Sequence, residues 1–173
     1  MFQSQAIASG DKRMFFEELG RQAGGLLAGE ADPVANAANL AALLFHQMPD
    51  LNWAGFYFLQ GDTLVLGPFQ GLPACIRIAN GRGVCGTAVS QRRAILVPDV
   101  HAFAGHIACD AASRAELVVP LLHQQTVLGV IDLDSPTPGR FDSRDQAGLE
   151  ALAALYLDAS GATAARWLAG TTS

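Results

Sequence analysis

Three cysteines lie between positions 75 and 109, each in a different setting: Ala74-Cys75-Ile76, Val84-Cys85-Gly86 and His106-Ile107-Ala108-Cys109-Asp110. The rest of the chain has none. A thiol can attack as a nucleophile, be oxidised to a sulfenic acid, and be rescued by a second thiol. Any one of these residues alone reads as a small buried hydrophobe. All three together, in polar and glycine-rich surroundings, read as redox chemistry. Zinc is a weak reading, because a structural site uses closely spaced pairs of ligands and here the cysteines are spread out among scattered histidines. Neither a metal nor a cofactor is expected. By position alone, Cys85 at the start of a helix has the better claim to a lowered pKa.

The acids and aromatics point to a pocket. Asp132 and Asp134 stand two apart near the end of an apolar strand, which puts both on one sheet face. There they repel each other unless a cation or a proton sits between them. Glu116 stands at the mouth of a second apolar strand, just before Leu117-Val118-Val119. Trp53 and Tyr57, four apart, share a strand face as a core pair or as an apolar wall with the phenol as its polar handle. Gly81-Arg82-Gly83-Val84-Cys85-Gly86-Thr87 is a glycine-rich turn into a helix. It has neither a dinucleotide fingerprint nor the Lys-Ser/Thr of a phosphate loop, so its glycines read as backbone and packing devices. Together these residues describe a pocket for a small cationic or zwitterionic molecule handled by thiol redox.

The elements that must position them follow from local signals. Asp11 and Asp32-Pro33 open two helices within a helical segment of about 11–48. From Asn52 the texture turns to strands: Trp53–Leu59, a turn at Gln60-Gly61-Asp62, Thr63–Leu66, and a short strand over Cys75–Ile78. A helix over Val84–Gln91 and a strand over Ala94–Val97 precede a long loop, Pro98–Ser113, which carries His101, His106, Cys109 and Asp110. A hairpin, Glu116–His123 with Thr126–Leu133, ends the sheet region of about 52–134. Asp142 then caps a final helix of about 142–168. This is an α+β pattern: one central antiparallel sheet, helices mainly on one face, and a loop-roofed pocket on the other.

The chain has 173 residues, suited to one domain, with half of them apolar and 16% charged. Eleven basic against sixteen acidic residues give −5 without a basic cluster, which argues against nucleic acid and anionic membrane as partners. No apolar run approaches the roughly 18 residues of a membrane span. No secretion signal is visible, and the odd cysteine count then points to reduced thiols in the cytoplasm.

In order along the chain, Asn52-Trp53-Ala-Gly-Phe-Tyr57, Leu-Gly-Pro-Phe-Gln-Gly71 before Cys75, Gly-Arg-Gly-Val-Cys85-Gly-Thr, the segment from Asp99 to Asp110, Glu116-Leu-Val-Val-Pro and Gly-Val-Ile-Asp132-Leu-Asp134-Ser match one family. Over roughly Leu40 to Leu152 the chain resembles the free methionine-(R)-sulfoxide reductases, which are built on a GAF-type domain. The resemblance implies a single GAF-like domain acting on free methionine sulfoxide. It implies that Cys109 attacks the sulfoxide sulfur and becomes a sulfenic acid, and that Cys75 condenses with it to a disulfide. It makes Cys85 an auxiliary or structural thiol. By the same resemblance Trp53 faces the substrate methyl, Tyr57, Glu116, Asp132 and Asp134 line the pocket, a thioredoxin-like dithiol recycles the enzyme, and the assembly is a homodimer. The other reading is a non-catalytic GAF sensor, disfavoured because a sensor is normally fused to an output domain.

Overall fold

The computed structural model describes residues 5–8, 10–105, 107 and 111–170. Two capped helices come first. Asp11 accepts from the amides of Arg13 and Met14 at the start of α1 (Lys12–Leu27), and Asp32 does the same for Val34 and Ala35 in α2 (Pro33–Gln47). Each cap satisfies amides that a helix leaves orphaned, and Pro33 sits in the first turn, where no donor is missed. Then follow β1 (Trp53–Gln60), β2 (Thr63–Gly71), β3 (Arg77–Ala79), α3 (Gly83–Gln91), β4 (Ile95–Val97), a 3₁₀ turn (Val100–Ala102), β5 (Ala115–His123), β6 (Thr126–Ser135) and α4 (Ser143–Leu168). The strands form one antiparallel sheet in the order β3-β2-β1-β6-β5-β4. Among the described residues no helix is long and apolar enough to cross a membrane.

Period-two alternation divides the sheet into two faces. Phe56 from β1, Leu117, Val119 and Leu121 from β5, and Ile131 and Leu133 from β6 join Leu19, Leu40, Leu44, Leu149, Leu152 and Tyr156 of the helices in the larger core. The opposite face carries Trp53, Tyr57, Val118 and Val130, packed against Val84, Cys85, Ala88 and Val89 of α3. So α1, α2 and α4 cover one side, while α3 and the loops cover the other.

Three local expectations need correction. Gly67-Pro68 reads as the end of a strand, but β2 continues to Gly71, because the two residues together oppose Phe56 as a bulge. Cys75 precedes β3 instead of lying in it; β3 pairs with β2 from Arg77 to Ala79, and the segment before it is irregular. The loop before β5 is not featureless, since Asp99 caps the 3₁₀ turn by accepting from the His101 amide.

The helical layer is tied down at its base by a buried carboxylate. Asp145 accepts from Lys12, from Arg140 at 3.3 Å and from the Asp142 amide at 2.8 Å, while Asp142 in turn caps α4. This reciprocal capping box joins the starts of α1 and α4 through a nearly inaccessible group. Asp145→Ala should lower stability by about 3 kcal/mol, the low end for breaking a buried ion pair because Lys12 keeps some access to water. Urea unfolding of the two proteins measures it, and a change within experimental scatter would rule out this anchoring role.

Candidate active site

Strand register gathers the acids. In the β5–β6 ladder Glu116 faces Asp134 and Val118 faces Asp132, and in the β1–β6 ladder Trp53 faces Asp134. The β1–β6 pairing runs without interruption from Trp53 to Phe58, so the bulge in β2 does not rotate Tyr57 away from Trp53. Trp53, Tyr57, Cys85, Ser113, Glu116, Asp132 and Asp134 line one cleft on the sheet face away from the helical layer. Of these, Asp134 is half-buried, and Glu116, Asp132, Cys85 and both aromatics are buried.

The aromatic wall is a stack. The Trp53 ring lies 5.3 Å from Phe69 and 5.9 Å from Tyr57, nearly parallel to the former. Gly55 permits this, because a Cβ there would run into the Trp53 ring and Phe69. Tyr57 spends its hydroxyl on the protein, donating to the Cys75 carbonyl at 3.0 Å. It therefore fixes the segment that carries Cys75. Phe69 and the Asn52–Ser113 hydrogen bond of 2.9 Å, which joins β1 to the end of the long loop, escape a reading of the sequence. Only their adjacency to Trp53 and to that loop hints at them.

The glycine-rich turn behaves as a packing device. Gly86 lets α3 approach the turn after β3 so closely that a Cβ would strike the Ala79 carbonyl. That approach pushes Cys85 into the acids: its thiol donates to Asp132 Oδ2 at 3.3 Å and stands 4.0 Å from Glu116 Oε1. Its pKa is accordingly raised well above that of an ordinary cysteine, first by burial and then by the charges of Asp132 and Glu116. The expectation of a lowered pKa is wrong here. Desolvation and two carboxylates outweigh the helix N-terminus. Burial also raises Glu116 well above the carboxylate range, with help from Asp132 and Asp134, and it raises Asp132 to about 7 although the Cys85 thiol pulls the other way.

Among the described residues two buried polar atoms of the cleft have no hydrogen-bond partner: Asp132 Oδ1 and the Trp53 ring nitrogen. The donor atoms of Cys85, Glu116 and Asp132 all lie within 4.8 Å of one another, a set that could hold a cation. Cys75 is half-buried and disulfide-bonded, whereas Cys85 is a free thiol. Cys109, with His106 and Asp110, lies outside the described residues. His101 is exposed on the 3₁₀ turn beside Asp99 and does not line the cleft.

The GAF-domain family model matches residues 30–156. The chain is 52% identical over 144 residues to the free methionine-R-sulfoxide reductase of Escherichia coli, covering 83% of this chain and 87% of that one. It is 43% identical over 153 residues to the enzyme of that name from Saccharomyces cerevisiae, covering 84% and 85%. An X-ray structure of free methionine-R-sulfoxide reductase from Neisseria meningitidis in complex with its substrate superposes with a TM-score of 0.90 at 41% identity, covering 94% of this chain and 98% of that one.

The raised carboxyl has a consequence for stability. With its pKa near 7, folded Asp132 keeps a proton that unfolded Asp132 has already released at about pH 4, so its contribution to stability falls as pH climbs through that window. The melting temperature should therefore fall between about pH 5 and pH 8 more steeply in the natural protein than in Asp132→Asn, which has no proton to lose. Equal slopes would contradict the buried, protonated state.

Proposed function

Because this chain belongs to the GAF-domain family of free methionine-R-sulfoxide reductases, we propose that it reduces free L-methionine-(R)-sulfoxide to L-methionine by thiol chemistry. The observation that carries this reading is the cluster of buried Glu116 and Asp132 with half-buried Asp134, set against the Trp53–Tyr57 wall and close to the disulfide-bonded Cys75.

In this mechanism the Cys109 thiolate attacks the sulfoxide sulfur while a carboxyl protonates the sulfoxide oxygen. The oxygen passes to the cysteine sulfur, methionine departs, and Cys109 is left as a sulfenic acid. The Cys75 thiol then displaces that oxygen as water and forms a Cys75–Cys109 disulfide. Glu116 is the stronger candidate for the proton: its raised pKa supports a neutral, donating carboxyl, with half-buried Asp134 beside it. Asp132 is assigned to the substrate ammonium. Its unpartnered Oδ1 supports that role, and a bound cation favours its ionised form. Trp53 presents an apolar face for the substrate methyl. Cys85, hydrogen-bonded to Asp132 and held protonated, is an auxiliary thiol that orients the acids. A thioredoxin-like dithiol returns the disulfide to thiols, and a cytoplasmic homodimer completes the reading.

Incubation with dithiothreitol and free methionine-(R)-sulfoxide should release methionine, while the same sulfoxide within a peptide should react about 10⁴-fold less well, because an amide leaves the buried carboxylates unpaired. Comparable turnover of the two would refute the free-amino-acid assignment. Binding without methionine release would make the domain a sensor.

Cys109→Ser should abolish release, and Cys75→Ser should release about one methionine per chain yet fail to turn over with thioredoxin. Glu116→Gln should lower kcat by about 10²–10⁴-fold, whereas Asp132→Asn should act mainly through KM. Single-turnover release reads the two cysteine variants and steady-state kinetics the two carboxyl variants, and near-natural release by Cys109→Ser would exclude it as the nucleophile.

A further inference from the structure

We propose that Cys85, Glu116 and Asp132 form a binding site for a thiophilic divalent cation, zinc above all, buried within the cleft. Cys85 comes from the first turn of α3, Glu116 from β5 and Asp132 from β6, so three separate elements converge on one point. This is a different donor set from any the cysteine spacing offers, since it uses a single thiol and two carboxylates brought together by register.

The distances suit the ion. With a zinc–sulfur bond of about 2.3 Å and a zinc–oxygen bond of about 2.0 Å, a tetrahedral angle separates sulfur from oxygen by about 3.5 Å. Cys85 Sγ stands 3.3 Å from Asp132 Oδ2 and 4.0 Å from Glu116 Oε1, so small side-chain adjustments suffice. The second, independent observation is Asp132 Oδ1, buried in a residue 6% exposed and without a hydrogen-bond partner, on a carboxylate that lines the cleft. An unpaired carboxylate oxygen in so dry a place is costly, and a cation removes that cost. The cleft keeps about 30 Å³ for a water-sized guest, enough for one ion. A fourth position falls to Asp134, on the same wall, or to water.

Binding exchanges protons for metal. The thiol proton and any proton held by Glu116 and Asp132 leave as the ion enters, so affinity rises with pH. The same two carboxyl groups are assigned to the substrate, Asp132 to its ammonium and Glu116 to its sulfoxide oxygen, and the ion is then an inhibitor that competes with substrate. The site itself does not depend on the reductase reading, because a GAF sensor with this geometry binds the ion equally.

Among the described cysteines Cys85 is a free thiol and Cys75 is disulfide-bonded, so Co²⁺ can serve as a spectroscopic probe of the Cys85 sulfur. Titration with Co²⁺ at about pH 7.5 should saturate at one equivalent with a near-ultraviolet thiolate-to-cobalt charge-transfer band, and Zn²⁺ should bleach it. Cys85→Ser should abolish the band. Glu116→Gln, which keeps the thiol and the packing around it, should weaken cobalt at least about tenfold, as loss of a ligand requires. Absence of the band from the natural protein, or its survival in Cys85→Ser, would overturn the proposal. So would undiminished affinity in Glu116→Gln, with circular dichroism confirming that each variant is folded. Competition by methionine sulfoxide, read in the same titration, reports separately on the substrate assignment.

Discussion

Glu116 stands opposite Asp134, and Val118 opposite Asp132, in the β5–β6 ladder, and the gathering of the three acids in the cleft follows from that register. Side chains alternate between faces, so a slip of one residue would drive three carboxyl groups into the helix-covered core and turn Leu117, Val119, Ile131 and Leu133 outward. The apolar residues on the helical side therefore hold the acids where they are. Desolvating three acids is unfavourable in itself, and the extensive core beneath α1, α2 and α4 offsets it.

The cost of gathering acids is met by keeping protons. Glu116 and Asp132 are both pushed upward, chiefly by burial, and the Cys85 thiol is held in its neutral form between them. A group of this kind has one strong preference: for anything that brings positive charge or accepts a shared proton. An ammonium, a developing hydroxyl on a sulfoxide oxygen and a small divalent cation all meet it, which links the proposed substrate to the proposed metal. The aromatic stack on the adjoining wall adds an apolar surface with no charge of its own beside the acids.

The thiols divide by position. Cys75 sits on an irregular, half-exposed connection whose carbonyl is anchored by Tyr57, and it is disulfide-bonded. Cys85, in the first turn of α3, is buried at the floor of the cleft, where burial and the neighbouring carboxylates deny it acidity. Exchange chemistry requires a thiolate and a path to it, and this contrast in burial and acidity is what supports the different roles proposed for the two.

Much of this was legible in the residues because it depends on local rules. Caps at Asp11, Asp32 and Asp142, the hairpin turn at Gly61, and the shared faces of Trp53 with Tyr57 and of Asp132 with Asp134 need only backbone periodicity and hydrogen-bond counting. The motif order carried the family, through segments whose spacing is a property of the chain itself. Tertiary structure alone decided what surrounds each group. A helix N-terminus speaks for an acidic Cys85, yet its pKa is set by two carboxylates contributed by strands thirty and more positions further along, and by the exclusion of water. Gly67-Pro68 reads as the end of a strand and becomes a bulge because β1 continues beside it. The metal-competent trio likewise has no signature in spacing, since electrostatic energy depends on distance in space and on local dielectric, and neither exists until the sheet has closed.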